Sequence, residues 1–304
     1  MFHRRQFIFA AAAAIAAIAA SAAHAQSWKA KYPELVFAVV PAENASGVTE
    51  RHQPFVDYLS KELGVKVTLR IANDYAAVIE GQRSGNIQIA FHGPASYSRA
   101  YVTGVKIEPF ATTVNADGSV GYYSVFYVRA DSSYKTIEDL QGKNLGLVDP
   151  NSTSGNNVPR FALNKMKINP EKYFGKVIYT GSHENAVIAV NQKTVDVAAN
   201  WFNSDDDSNL TRMAKKGMVK KEDFRIIFKS DLIANSPYTY NSDLPEDLKA
   251  AIRKAFAESP TKARAAFDKL SDGKDRDFKA VDHKFYEPVV ELVKFVDQLR
   301  KTKS

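Results

Sequence analysis

Short apolar runs alternate with amphipathic stretches along most of the chain, and few folds accept that rhythm. Leu35-Val36-Phe37-Ala38-Val39-Val40, stopped by Pro41, reads as a buried strand. Residues 50–63 carry Phe55, Tyr58 and Leu59 at helical spacing, and Val65 to Leu69 alternates as a strand does. Asp74 is placed to cap a helix through Ala76 to Ile79, and Ile87 to Phe91 is the next strand. Further strands are predicted over 122–128, 144–148, 176–179, 195–200 and 224–228. Helices are predicted over 137–140, to about residue 167 after a Ser/Gly loop, and over 184–191. The C-terminal part reads as helices over 245–256, 259–270 and 283–299. Strand, helix, strand in series implies parallel sheets with crossover helices, which bind small molecules beyond the carboxyl ends of their strands.

The expected fold is α/β: two such units of similar size, with the chain returning to the first at its end. That makes a hinged clamp with a cleft between the lobes. One lobe is expected from 26–120 plus 235–304, the other from 121–234. Residues 1–25 read as a secretory signal: Arg4-Arg5, an alanine-rich apolar run, then Ala23-His24-Ala25 before Gln26. The paired arginines suit either a general or a twin-arginine route. Loss of this leader takes the formal charge from +7 to +5. Lys and Arg are scattered among acids, which speaks against nucleic acid as a partner and gives a mild bias towards anions. With zero Cys there is no disulfide, thiol nucleophile or cysteine metal site. No nucleophile elbow, P-loop, dinucleotide glycine pattern or zinc spacing is present, so neither a cofactor nor an enzyme is expected.

Asp149-Pro150-Asn151-Ser152-Thr153-Ser154-Gly155 falls between a strand and a helix. Three hydroxyls at a helix start, beside free N–H groups and the positive end of the dipole, suit an oxyanion. An ordinary Ser/Thr cap accounts for the same pattern. His183, at the mouth of the next helix, can donate to an oxyanion or simply cap. Tyr75 and Tyr122 sit where loops meet elements, and His92 ends a strand that could face the cleft. Asp205-Asp206-Asp207 lacks calcium-loop spacing and reads as a solvated loop.

Several stretches together resemble the phosphonate-binding periplasmic proteins of the phosphate/phosphite/phosphonate ABC transporter family. They are Asp74-Tyr75-Ala76 with Gly81; Ala116 to Ser119 with Gly121-Tyr122; Asp149 to Gly155 with Pro159; His183-Glu184-Asn185; Val195 to Ala198; and Lys229-Ser230 with Leu232-Ile233. The resemblance implies a type II-like clamp of two Rossmann-like lobes joined by two crossover segments. It implies a transport receptor that hands a small phosphorus oxyanion to an inner-membrane permease. The oxygens would be held by Ser152, Thr153, Ser154, His183, Tyr75 and Tyr122. Members that take an aminoalkyl phosphonate hold its ammonium with two carboxylates, and those positions fall here on Asn203 and Ser236. Asp205 or Asp231 could substitute, and Trp201 could hold a quaternary ammonium. A binding protein of this fold for another anion or an amino compound, and an exported phosphoesterase, are the rival readings.

Overall fold

The computed structural model describes residues 28–301; the expected leader lies outside them. The chain begins β1 (Glu34–Val39), α1 (Ala45–Leu63), β2 (Lys66–Ile71), α2 (Tyr75–Arg83), β3 (Ile89–Phe91), α3 (Pro94–Val102) and β4 (Ile107–Asn115). It continues with β5 (Gly121–Arg129), β6 (Asn144–Leu147), a π turn (Thr153–Asn157) running into α4 (Val158–Lys165), β7 (Lys176–Tyr179), α5 (His183–Asn191) and β8 (Val197–Ser204). Then come β9 (Asp207–Ser208), α6 (Asn209–Lys215), β10 (Phe224–Lys229), β11 (Ile233–Ala234) and β12 (Pro237–Asn241). The chain closes with α7 (Glu246–Lys262), α8 (Arg264–Ser271), β13 (Asp275–Ala280) and α9 (Glu287–Lys301).

The strands form two sheets, each the centre of one lobe. The first runs β13-β4-β12-β3-β1-β2; the second runs β10-β5-β8-β6-β7, with β9 on β8 and β11 on β5. The strands recognised by their rhythm pair in parallel, β1 with β2 and β3, and β6 with β7 and β8. The strands that carry the chain between lobes pair antiparallel: β4 with β12 and β13, β5 with β8 and β10. Two short segments, after β4 and before β12, link the sheets. The carboxyl ends of the parallel strands in both lobes open onto the space between them, where the rule for such sheets puts a ligand.

Each lobe has its own apolar interior. In the first, Phe256 of α7 meets Phe55, Phe110 and Tyr238 edge-on, with ring centres 5.0, 4.9 and 5.0 Å apart. In the second, Phe126, Leu145, Leu147, Leu163 and Phe174 close over the sheet. A further cluster crosses the gap, with Val40 and Tyr75 from one side and Val148 and Val187 from the other. Helix α9 packs on α3, where Asp297 pairs with Arg99, and reaches α4 of the second lobe, where Phe295 meets Phe161 edge-on at 5.6 Å.

The C-terminal part departs from the all-helical expectation. β13 adds to the first sheet between the helices expected at 259–270 and 283–299, beside β4, while β12, which precedes the C-terminal part, joins the same sheet. β13 is an edge strand of sequence DRDFKA whose charges, apart from the buried Asp275, face outward, so no alternation of apolar residues announces it. α7 runs through Pro260 and breaks at Ala263, rather than before Ser259. Replacing Phe256 with Ala removes a ring that touches four others in the first lobe: Phe55, Phe110, Tyr238 and Phe278. A loss of about 3–5 kcal/mol of unfolding free energy is expected, read from a denaturant titration.

Candidate functional site

The candidate anion site is built on the loop after β6. Ser152 caps the π turn: its Oγ accepts from the Gly155 N–H at 3.1 Å. The Asn157 N–H reaches back five residues to the Ser152 carbonyl at 3.0 Å. That wide first turn leaves the Thr153 and Ser154 N–H groups with no acceptor inside the helix. Asn156 and Asn157 donate their side-chain amides to the Pro150 carbonyl at 2.8 and 3.1 Å and hold the loop in place. Gly155 is required by contact: a Cβ there would lie 2.4 Å from Val148 and 2.7 Å from the Ser152 hydroxyl. Pro159 sits in the first turn of α4, where no N–H is needed.

Around this turn the expected side chains converge. The Tyr75 hydroxyl lies against Ser152, and the Tyr122 hydroxyl against Thr153 and Ser154. Burial pushes both phenols up, Tyr122 to about 12, so both are donors. The His183 Nε2 is 3.4 Å from the Ser152 Oγ. Asn200 fixes the ring: its amide donates to the His183 carbonyl at 2.9 Å, so its oxygen faces Nδ1 at 3.0 Å and receives that N–H. Nε2 is left as the acceptor of a neutral ring, and burial lowers its pKa to about 4. These six residues are all buried.

The cradle is closed by contacts between lobes. The Ala95 N–H at the start of α3 donates to Thr153 Oγ1 at 2.9 Å. The Tyr75 N–H at the start of α2 donates to the Asp149 carboxylate. The Asn44 N–H, capping α1, donates to Glu184 Oε2 at 2.7 Å. Lys216, capping the end of α6, bridges Glu43 at 2.8 Å and Glu184 at 3.2 Å.

Asn203, Ser236 and Trp201 also line the cleft. The Asn203 amide donates to Asp207 at 2.5 Å. One face of Trp201 carries the Arg212 guanidinium, 4.6 Å from the ring centre. Asp205 does not line the cleft: it lies in the exposed turn between β8 and β9, where its carbonyl accepts from Thr211 and Lys221. Asp231 is exposed as well, its carboxylate near Lys165 at the surface. His92 lies beneath the cleft, its ring bonded to Gln82 at 2.7 Å and Ser96 at 3.1 Å, so no ring nitrogen is free for a ligand. Sequence reasoning missed Glu43, Arg51, His52, Asp207, Arg212 and Asp275, all of which line the cleft. Only Asp207 stood in a stretch singled out beforehand. It is not solvated but buried, paired with Arg212 at 3.2 Å.

Two sheets joined by two crossings, with a closed polar cleft at their strand ends, define a two-lobed solute-binding clamp. Residues 37–286 match the model of the ABC transporter, phosphonate, periplasmic substrate-binding protein family, and the chain belongs to it. The chain is 35% identical over 229 residues to the phosphonates-binding periplasmic protein of Escherichia coli; the match covers 73% of this chain and 65% of that protein's length. It is 32% identical to the phosphate-import protein PhnD of Mycolicibacterium smegmatis, covering 75% of this chain and 72% of that one. The crystal structure of a binding protein component of an ABC phosphonate transporter from Pseudomonas aeruginosa superposes with a TM-score of 0.78 at 29% identity, covering 86% of each chain. The family is one of periplasmic solute-binding proteins, not enzymes.

The buried histidines make stability pH-dependent. His52, His92 and His183 have pKa values lowered by burial to about 4, about 3 and about 4, from an ordinary 6.5. Below about 6.5 the unfolded chain takes up protons that the folded chain refuses, so stability falls as the pH drops. Asp275 works the other way: burial raises it to about 7, so acidification through that range favours the fold. Burial raises Asp149 as well, so three rings oppose two carboxyls; the histidines start from 6.5, inside this range, and the melting temperature is expected to be lower at about pH 5 than at about pH 7. A higher value at the acid end would contradict the neutral burial of these rings.

Proposed function

We propose that this chain captures a phosphonate or a related phosphorus oxyanion between its lobes and presents it to a permease in the inner membrane. The observation that carries the reading is the convergence of Ser152, Thr153, Ser154, Tyr75 and Tyr122 hydroxyls with His183 around one buried turn. A tetrahedral oxyanion offers many acceptor positions in a small volume, and this cradle answers with hydroxyl and N–H donors and no fixed positive charge. In this reading one lobe is 26–120 with 235–304 and the other 121–234, which follows the membership of the two sheets. Residues 1–25 direct the chain to the periplasm. The clamp closes on the anion, excludes water from its hydrogen bonds and makes no covalent change.

The two relatives point to different cargo in their names, phosphonates for one and phosphate for the other. Titration calorimetry of the chain without its leader, against methylphosphonate, phosphite and phosphate, separates the cases. At about 100 times the dissociation constant the bound solute adds about 2.7 kcal/mol of stability. Absence of any heat or thermal shift with all three would overturn the oxyanion reading in favour of a clamp for another compound. Ser154→Ala and Tyr122→Phe each remove one hydroxyl and are expected to weaken binding by about 1–3 kcal/mol with little change in the melting temperature of the free protein.

His183 adds a proton to the account. With Nδ1 committed to Asn200, a fully ionised oxygen facing Nε2 needs one proton between them, from the ring or from the ligand. Affinity is therefore expected to fall as the pH rises above the second ionisation of the solute, by up to about tenfold per pH unit. A flat profile in calorimetry across that range would remove His183 from the contact.

A further inference from the structure

Away from the cradle, the charged edge of the cleft is shared between the lobes in an uneven way. Glu43, just before α1, belongs to the first lobe and is only 8% exposed. Its carboxylate meets Arg51 of the same lobe at 2.7 Å. It also meets two cations of the second lobe, Lys216 at 2.8 Å and Arg212 at 3.6 Å. Burial works against this carboxylate, but Arg51, Arg212 and Lys216 outweigh it and hold its pKa below the ordinary range. Two of the three cations that keep Glu43 ionised therefore sit on the other body. Lys216 reaches Glu184 of its own lobe at 3.2 Å, and the second oxygen of Glu184 accepts the Asn44 N–H of the first lobe at 2.7 Å. Asp275 on β13 faces the same guanidinium: burial pushes its carboxyl up, and Arg212 is the foremost charge opposing that rise.

The start of α1 is shaped around this bridge. Gly47 lies in the first turn of α1 with a φ outside the left-handed region, so its backbone does not call for glycine, and alanine is the better helix former. What the missing side chain leaves open is the path of Lys216. A Cβ at position 47 would lie 2.8 Å from Lys216 Nζ and 2.8 Å from Glu43 Oε2. The carboxylate and the guanidinium are also held before the lobes meet: Arg51 fixes Glu43 within the first, and Asp207 fixes Arg212 at 3.2 Å within the second. Little side-chain freedom is lost when they come together, which leaves more of the attraction to favour closure. Neither Gly47 nor Lys216 is among the residues that line the cleft.

We infer that Lys216 is a positioning residue for a solute it does not touch: its bridge to Glu43, over the gap left by Gly47, latches the two lobes and slows release from the cradle. The inference rests on the clamp reading above. A latch of this kind favours the closed form by the same amount for every cargo, so it sets residence and leaves selectivity to the cradle. Release is thereby assigned to the edge where the start of α1 meets the end of α6, away from the hydroxyls that hold the oxyanion.

The test measures capture and release of methylphosphonate, phosphite and phosphate by the leaderless chain, in stopped flow on the fluorescence of Trp201, which lines the cleft. Binding rates plotted against concentration give capture from the slope and release from the intercept. Lys216→Gln and Gly47→Ala attack the bridge from opposite lobes, the second without removing a charge. Each is expected to speed release about tenfold and to leave capture within about threefold, by the same factor for every solute that the unaltered chain binds. Release unchanged in both variants, with the unaltered chain binding, overturns the latch and leaves the oxyanion reading standing. A change confined to one solute also overturns it, since Lys216 would then be reading the cargo. No binding of any of the three by the unaltered chain overturns both readings. If the melting temperature shows that Lys216→Gln folds poorly, Gly47→Ala decides alone.

Discussion

The closed form depends on helix starts that one lobe cannot satisfy by itself. α1, α2 and α3 of the first lobe each turn an N–H towards the gap, and each receives an oxygen from the second lobe: Glu184, Asp149 and Thr153. The first turn of a helix carries unmet donors and a partial positive charge, so these oxygens are bound by hydrogen bond and dipole together. The second lobe spends its own helix starts differently. The π turn at Thr153 leaves its first N–H groups at the cleft, and the start of α5 brings His183 to the same turn, its Nε2 3.4 Å from the Ser152 Oγ. Thr153 serves both uses: its hydroxyl oxygen accepts from the first lobe while its N–H stays free at the cradle. Closure and capture are therefore tied at a single residue.

A cradle without lysine or arginine is a choice with consequences for selectivity. A guanidinium would attract any anion, whereas directed hydroxyls and amides reward only an acceptor arrangement that matches them, because each unmatched buried donor is penalised. The charges of the cleft are kept apart from the cradle. Arg212 is occupied by Asp207, Glu43 and the face of Trp201, and Arg51 by Glu43 and Asp272. Burial also keeps His183 neutral until an anion or its proton comes to the ring. The positive potential that favours the anion comes chiefly from backbone dipoles, which cannot titrate.

Much of this was legible from the residues. Buried parallel strands are continuous apolar runs, so β1, β3 and β6 announced themselves, and with them the position of the cradle. The run from Asp149 to Gly155, with Tyr75, Tyr122 and His183, pointed to six side chains that do come together. What stayed hidden depends on distant chain segments. β13 shows a single inward ring, Phe278, among charges, and its place beside β4 brings Asp275 to the cleft. β8 runs on to Ser204 rather than ending at Asn200, so Asp207 returns beside it as a short strand instead of standing in water. His92 looked like a cleft residue because it follows a strand. Gln82 on α2 claims it, and periodicity gives no warning of a side-chain partner ten residues away.

Helix α9 carries a mechanical meaning. Two neighbouring positions on its last turns are fastened to different bodies, Asp297 to Arg99 in the first lobe and Phe295 to Phe161 in the second. Any change in the distance between Arg99 and Phe161 strains one of these two contacts, and an edge-on pair of rings is held less firmly than a forked ion pair. The final helix thus ties the two lobes to each other through side chains outside the cradle. Loosening that tie at Phe161 or Phe295 alters how firmly the two halves are held while leaving the six cradle side chains untouched.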